Sequence, residues 1–398
     1  MRNVVILRDD TLKKMIYVVG ALLLLCSFQF GIGETEESDY IYVDDDNTTG
    51  PWDGSMENPY RCIQDAVENA SEGDTVFVFN GFYSGNIRID KSLDLVGEDS
   101  QSTIVDGGKH IIWIFADSVS IQQFNLTGSS RFFSAIYVVG YDAFISSNNI
   151  NSNYDGIKID GVSNATVLNN TFINNYNRNI RVEFSSDCLV SDNYIGGDGD
   201  GIYVWSSSNN RIIRNTIDHC DWGILLGDFC YNNFLYHNNL IRNDFGNAAD
   251  YTTNNRWDNG YPSGGNFWDD YTGLDTDNDG IGDTAYEISE EVVDLYPLIN
   301  PIHMSKPDVA VKSGFGFHAE LVNKDDHAVS GLLTVNIYQR DDELKSSFDS
   351  MIVNLSPSSG KTISKNIFGF GLVSATVEFG IWEWEQEAFL IGPVWINI

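Results

Sequence analysis

The stretch with the plainest coordination chemistry is Asp275-Thr276-Asp277-Asn278-Asp279-Gly280-Ile281-Gly282-Asp283. Carboxylates at alternate positions, then a glycine that permits a sharp bend, let one short loop wrap oxygen ligands around a hard divalent cation, as the first half of an EF-hand loop does. The spacing assigns Asp275, Asp277, Asp279 and Asp283 as side-chain ligands of Ca²⁺, with Ile281 lending its carbonyl. At the twelfth position, where an EF-hand has its bidentate Glu, this chain has Tyr286, so the missing ligand would come from elsewhere, such as Glu287 or Asp294. A solvated acidic turn is the plainer alternative. The expected role of the ion is structural, pinning a C-terminal cap.

A second constellation emerges from aligning a recurrent Ile, usually preceded by Gly or Asn, at Ile136, Ile157, Ile180, Ile202 and Ile224. Outward positions then fall into columns: Tyr137, Lys158, Arg181 and Tyr203 in one, and Val139, Asp160, Glu183 and Trp205 in the next. On strands about 4.8 Å apart, Lys158, Asp160, Arg181 and Glu183 form a charged square beside aromatic rings. Sugar-binding sites use that mixture, because rings offer flat apolar faces to sugar C–H groups while carboxylates and guanidinium groups bond the hydroxyls. Two neighbouring carboxylates can also divide into acid and base, which makes Asp160 and Glu183, with Arg181 as the basic group, the catalytic candidates. The alternative is an exposed sheet face neutralised by salt-bridged pairs. Around the next turn, Asp198, Asp200, His219, Asp221 and Asp244 would stack as a carboxylate cluster or cation site, against a default of solvated turn aspartates. Six His and five Met are scattered with no paired spacing of the imidazole or soft ligands that copper prefers.

These columns presuppose a repeat, and a second marker supports one. The phrases Asn148-Asn149-Ile150, Asn170-Thr171-Phe172, Asn193-Tyr194-Ile195, Asn215-Thr216-Ile217 and Asn238-Asn239-Leu240 step by 22, 23, 22 and 23 residues. A fixed period of this length marks a solenoid, whose repeats bury their apolar faces only by stacking. Within each repeat, apolar residues alternate over three to five positions and are interrupted by Asn, Gly, Asp or Ser, which reads as three short strands joined by tight turns. The fold class is therefore all-β, a parallel β-helix with coils of about 22 residues. Its Asn sits in a turn, where it tolerates the left-handed conformation and bonds the next coil.

Acidic residues outnumber basic ones 57 to 23 for a formal charge of -34, a field that repels nucleic acid and anionic lipid. Lys13-Lys14 followed by an uncharged run from Met15 to Gly33 reads as a signal peptide over 1–33, with an uncleaved signal anchor, the only membrane link, as its rival. Cys62, Cys188, Cys220 and Cys230 show no zinc or redox spacing, so inward-facing thiols and a disulfide both fit.

In chain order, residues 34–74 form an N-terminal cap whose Ile63-Gln64-Asp65-Ala66-Val67-Glu68-Asn69-Ala70 has helical spacing and would lid the first coil. Coils occupy 75–250, and 251–300 is a C-terminal cap containing the acidic loop. Beyond a linker with Pro301 and Pro307, residues 308–398 lose the repeat but keep alternation, as in Leu333-Thr334-Val335-Asn336-Ile337-Tyr338, which suits an immunoglobulin-like β-sandwich.

The opening "IYVDDD…GPWDG…NPY…IQDAVENASEGDTVFV", the "LVGED…TIVDG" segment, the repeats and the terminal "GGNFWDDYTGLDTDNDGIGDTAYEI…DLYPL" resemble the right-handed parallel β-helix family of archaeal and bacterial envelope proteins related to NosD and to pectate-lyase-like folds. The resemblance covers residues 40 to 300 and implies the handedness of the helix. The closing "FGFGLVSATVEFG…FLIGPVWINI" is similar to β-sandwich modules of archaeal surface proteins. Together these readings give a secreted or cell-surface protein, calcium-stabilised and structural or glycan-binding, whose partner is a glycan or cell-envelope component. A polysaccharide lyase or glycoside hydrolase is the alternative. The resemblance adds a second, an accessory factor for a metalloenzyme.

Overall fold

A computed structural model describes residues 40–302, 308–322, 329–339, 344–355, 360–379 and 382–397. The segment expected to be a signal lies outside them. Among the described residues, no helix is long and apolar enough to cross a membrane.

Three parallel sheets wind about one core. The first runs from Tyr40–Val43 to Phe234–Tyr236, the second from Gly81–Ser84 to Phe267–Trp268, and the third from Ile87–Ile89 to Gly246–Asp250. Each strand pairs in parallel with its counterpart one coil away, so Ile136, Ile157, Ile180, Ile202 and Ile224 are register partners in the third sheet. The inward residues of all three sheets, such as Ile145, Ile150 and Ile157, are fully buried. Full burial of such a side chain is worth roughly 1.5–3 kcal/mol, and it is available only when coils stack. The boundaries expected at 75 and 250 are too narrow, because Tyr40–Val43 already belongs to the first sheet and Phe267–Trp268 still belongs to the second.

The recurrent Asn is a ladder. Asn193 Oδ1 accepts from the backbone N–H of Asn170 at 2.9 Å and from its Nδ2 at 3.2 Å, while Asn193 Nδ2 donates to Val167 O at 3.0 Å and to Asn215 Oδ1 at 2.9 Å. The same bonds link Asn148, Asn170, Asn193, Asn215, Asn238 and Asn266. The left-handed residue of the turn is the one before the ladder Asn, with φ of 57° at Ser147, 53° at Asn169, 56° at Asp192 and at Arg214, and 60° at His237. The expectation that the Asn itself takes this conformation is thus corrected: a buried amide must aim along the helix axis, and its neighbour makes the bend.

Both ends of the coil stack are closed. A helix over Ile63–Asn69 buries Ile63, Ala66 and Val67 against the first coils. Its Gln64 side chain accepts from Arg88 N at 2.7 Å, replacing the strand that the edge of the third sheet lacks. Lys91 Nζ donates to the carbonyls of Glu68 and Ala70 at the helix end, where a cation is favoured. At the other end, Asp294 Oδ2 accepts from Asn266 N at 2.7 Å and from Trp268 Nε1 at 2.9 Å, terminating the ladder.

The C-terminal residues form two antiparallel sheets. One has Asp308–Lys312, Phe317–Val322 and Gly360–Lys365; the other orders Gly314–Phe315, Val394–Asn397, Trp382–Gly392, Gly369–Phe379, Val329–Gln339 and Leu344–Leu355. A core that includes Phe317, Leu321, Ile363, Val377, Leu390 and Trp395 draws on both sheets, as a sandwich requires. Cys62, Cys188, Cys220 and Cys230 are free thiols, the last three buried.

Candidate functional site

The six-residue strands Asp155–Asp160, Arg178–Glu183 and Asp200–Trp205 place the expected charged columns side by side. Lys158 is the register partner of both Tyr137 and Arg181, and Glu183 of both Asp160 and Trp205. Val139 falls just past its strand, Ser134–Val138. Lys158 Nζ donates to Asp160 Oδ2 at 2.8 Å and lies 3.2 Å from Glu183 Oε2. Arg181 holds Glu183 Oε1 through Nε at 2.7 Å and Nη2 at 2.6 Å, and its Nη1 lies 3.5 Å from Asp155 Oδ2. The Tyr137 hydroxyl donates to Asp160 Oδ2 at 2.9 Å. Every member of the charged square is thus paired, and the Glu183 side chain is only 7% exposed.

Rings border this network. Lys158 Nζ stands 5.4 Å from the Tyr137 ring centroid, and the Arg178 guanidinium 3.8 Å from that of Tyr203. Trp205 meets Phe184 edge-on at 4.8 Å. His110 stacks on Tyr137 at 4.8 Å, with Trp113 edge-on beside it. Burial, reinforced by the Asp160 hydrogen bond, pushes the Tyr137 hydroxyl up to about 12. Burial also presses His110 down to about 4, with the Lys158 charge adding to it. Ser134 N–H donates to His110 Nδ1 at 2.9 Å, which places the proton of the neutral ring on Nε2. For Arg181, burial acts downward, but Glu183 and Asp155 outweigh it and hold the guanidinium above its ordinary value.

The columns read from sequence missed Asp155, Arg178 and Asn177, which extend the network. Asp155 and Arg178 are register partners, as are Arg178 and Asp200. Arg178 Nε lies 3.3 Å from Asp200 Oδ2, and Asn177 Nδ2 donates to Asp155 Oδ1 at 2.6 Å. Their signal was available two residues before Ile157, Ile180 and Ile202, where Asp, Arg and Asp alternate.

The five acidic and imidazole residues of the next turn do not assemble. Asp200 belongs to Arg178, while His219 Nδ1 lies 2.8 Å from the fully buried Asp218, which Arg242 also binds. Asp198 and Asp244 are exposed. Burial raises the Asp200 carboxyl, against the pull of Arg178.

The acidic loop does converge. Asp275, Asp277 and Asp279 each offer a carboxylate oxygen within 4.8 Å of the others, the one such grouping of His, Cys, Asp and Glu among the described residues. The bend comes from left-handed Asn278 and Gly280, with φ of 60° and 89°. Asp275 Oδ2 accepts from Gly280 N at 3.0 Å, Asp279 Oδ1 from Ile281 N at 2.9 Å, and Asp283 Oδ2 from Thr276 N at 3.0 Å. Desolvation, then the charge of Asp279, raises the Asp277 carboxyl. Asp294, the alternative source of the missing ligand, is fully buried at the end of the Asn ladder, where its Oδ2 accepts from Asn266 N and Trp268 Nε1. Tyr286, in place of the EF-hand Glu, stacks on Trp268 at 4.0 Å.

Fold and site together define a right-handed parallel β-helix with a charged, ring-bordered sheet face. The family model described as "Periplasmic copper-binding protein (NosD)" matches residues 67–273, and the chain belongs to the NosD family. A periplasmic family is consistent with an envelope location. Curated proteins give no match. Similar solved structures include a pectin methylesterase in complex with hexasaccharide VII, at 12% identity over 55% of this chain and 93% of that one, with a TM-score of 0.37. Pectate lyase Pel9A is 14% identical over 57% of this chain and 82% of its own, with a TM-score of 0.38. ORF18 of Geobacillus virus E2 is 12% identical over 98% and 82%, with a TM-score of 0.35.

The residues described here do not fit copper. The grouping that converges is all carboxylate, suited to hard cations, whereas copper sites use imidazole, thiolate or thioether. His110 lies within an aromatic stack, and burial pushes the Cys188 and Cys230 thiols up to about 11.

Proposed function

We propose that this protein is a secreted or surface-displayed envelope β-helix that binds a glycan on the outer face of its third sheet and is stabilised by calcium at its C-terminal cap. The observation that supports glycan binding is the alternation of paired charges Lys158, Asp160, Arg181 and Glu183 between the rings of Tyr137, Tyr203 and Trp205. The charged groups bond sugar hydroxyls and the rings pack against sugar C–H faces. Binding is favoured over cleavage because both carboxylates are already engaged, Asp160 by Lys158 and Tyr137, and Glu183 by Lys158 and Arg181. A hydrolase needs one of them free to move a proton, and a lyase needs its basic group unprotonated, whereas Glu183 and Asp155 hold the Arg181 guanidinium above its ordinary value.

A glycan array probed with the purified chain is expected to show selective retention, with bound oligosaccharides recovered intact. Cleavage that Asp160→Asn or Glu183→Gln abolishes would replace this reading with the enzymatic one, and an array without signal would remove it. For calcium, the support is the convergence of Asp275, Asp277 and Asp279 on one point of a tight loop. The accessory-factor reading requires copper uptake, for which the described residues supply no ligand set.

A further inference from the structure

The corner between the second and third sheets carries a separate row of rings. Phe132, Tyr154 and Tyr176 follow one another at intervals of 22 residues, one per coil. Their ring centroids are 5.3 and 5.9 Å apart, and Phe132 and Tyr176 are each 70% exposed. Beside them opens a groove of about 400 Å³ lined by Ser129, Arg131, Ser152, Asn153, Tyr154 and Tyr176.

Two observations set this corner apart from an ordinary solvated turn. Phe132 has φ of 71°, a conformation that bulky side chains adopt at an energetic cost. Of the 22 non-glycine residues with positive φ among the described residues, all are polar except Phe132, Phe184 and Phe229. At 70% exposure the Phe132 ring adds little to the core and stands open to a ligand. Arg131, whose guanidinium lies 4.9 Å from the Phe132 ring centroid, makes no ion pair among the described residues, in a chain where acidic residues outnumber basic ones 57 to 23. The floor beneath is fixed by Asn153, whose Oδ1 accepts from Ser129 N at 3.0 Å and whose Nδ2 donates to Leu126 O at 3.0 Å, while Tyr154 N donates to Ser129 Oγ.

We propose that this corner is a second glycan site that takes a chain of pyranose sugars bearing carboxylates. The chain runs along the helix axis across three coils. Sugar faces pack on Tyr154, Tyr176 and Phe132, and a sugar carboxylate meets the Arg131 fork, whose planar donors match two oxygens at once. The net negative charge of the protein acts at long range and is screened beyond about 8 Å at physiological salt, so the local cation decides the contact. The site shares no residue with the face of the third sheet, and its test is separable from that of the other reading.

Calorimetric titration of the full chain with a uronic-acid hexamer and with a neutral hexose hexamer of the same linkage tests it. The uronate hexamer is expected to bind about tenfold tighter than the neutral one. Arg131→Ala should erase that preference, and Tyr176→Ala should weaken both sugars about tenfold. Trp205→Ala, on the third-sheet face, should leave the preference intact. Unchanged melting temperatures would certify that the variants fold, and Phe132→Ala supplies the ring test should Tyr176→Ala not. Absence of uronate binding, equal binding of the two sugars, or wild-type behaviour of Arg131→Ala would each overturn the proposal.

Discussion

Asn193 shows how much of a coil depends on one side chain. Its amide satisfies Asn170 above, Asn215 below and the Val167 carbonyl beside it, all in the dry interior. Asn193→Ala leaves several of those groups unpaired, and each buried orphan costs about 1–3 kcal/mol. Urea unfolding should therefore show a loss of about 3 kcal/mol or more, and a variant as stable as wild type would contradict the ladder. These residues and the joining of coils by their amides are legible in the sequence because a period of about 22 repeats them. Which residue of the turn is left-handed is not legible, because φ of 56° at Asp192 leaves no mark when polar residues fill both positions. Lys158, Asp160, Arg181 and Glu183 were legible for the same reason as the ladder. Asp155 and Arg178 carry a weaker signal, an alternation of charge two residues ahead of the repeat Ile, where their strands start before the apolar alternation becomes visible.

At the scale of the element, the C-terminal cap depends on Asp294. Burial pushes its carboxyl up to about 6 from 3.8, although Asn266 N–H, the Trp268 indole and Tyr296 N–H all favour the charged form. Because the folded value lies above the unfolded one, the native state prefers the protonated acid. The stability it lends is complete below pH 3.8 and is lost as pH rises through about 6. The difference in unfolding free energy between wild type and Asp294→Asn should fall by up to about 3 kcal/mol from pH 4 to pH 7. A pH-independent difference would show that the three donors prevail over desolvation. Nothing in the sequence singled out Asp294 for this place, since its partner Asn266 is 28 residues away and outside the period. The N-terminal helix was legible, because Ile63, Ala66 and Val67 follow helical spacing. The seal that Gln64 makes on Arg88 was not, since a single polar contact 24 residues away has no periodic signature.

For the whole molecule, the β-helix and the C-terminal sandwich could be read from sequence because each rests on a repeated pattern, alternation in both and a 22-residue period in the first. The ends of the β-helix were misplaced, since Tyr40–Val43 and Phe267–Trp268 join the sheets without the Asn marker. Calcium added to the full chain should raise its melting temperature, by the equivalent of about 2.7 kcal/mol at a hundred times the dissociation constant. Asp277→Ala/Asp279→Ala should not respond, and an equal response of both chains would remove the ion from the acidic loop. Whether the third sheet presents a glycan-binding face is decided by isothermal titration of the strongest array glycan into wild type and into Tyr203→Ala/Trp205→Ala. The variant should bind at least about tenfold more weakly at an unchanged melting temperature; equal affinity for the two proteins would show that this face does not hold the glycan.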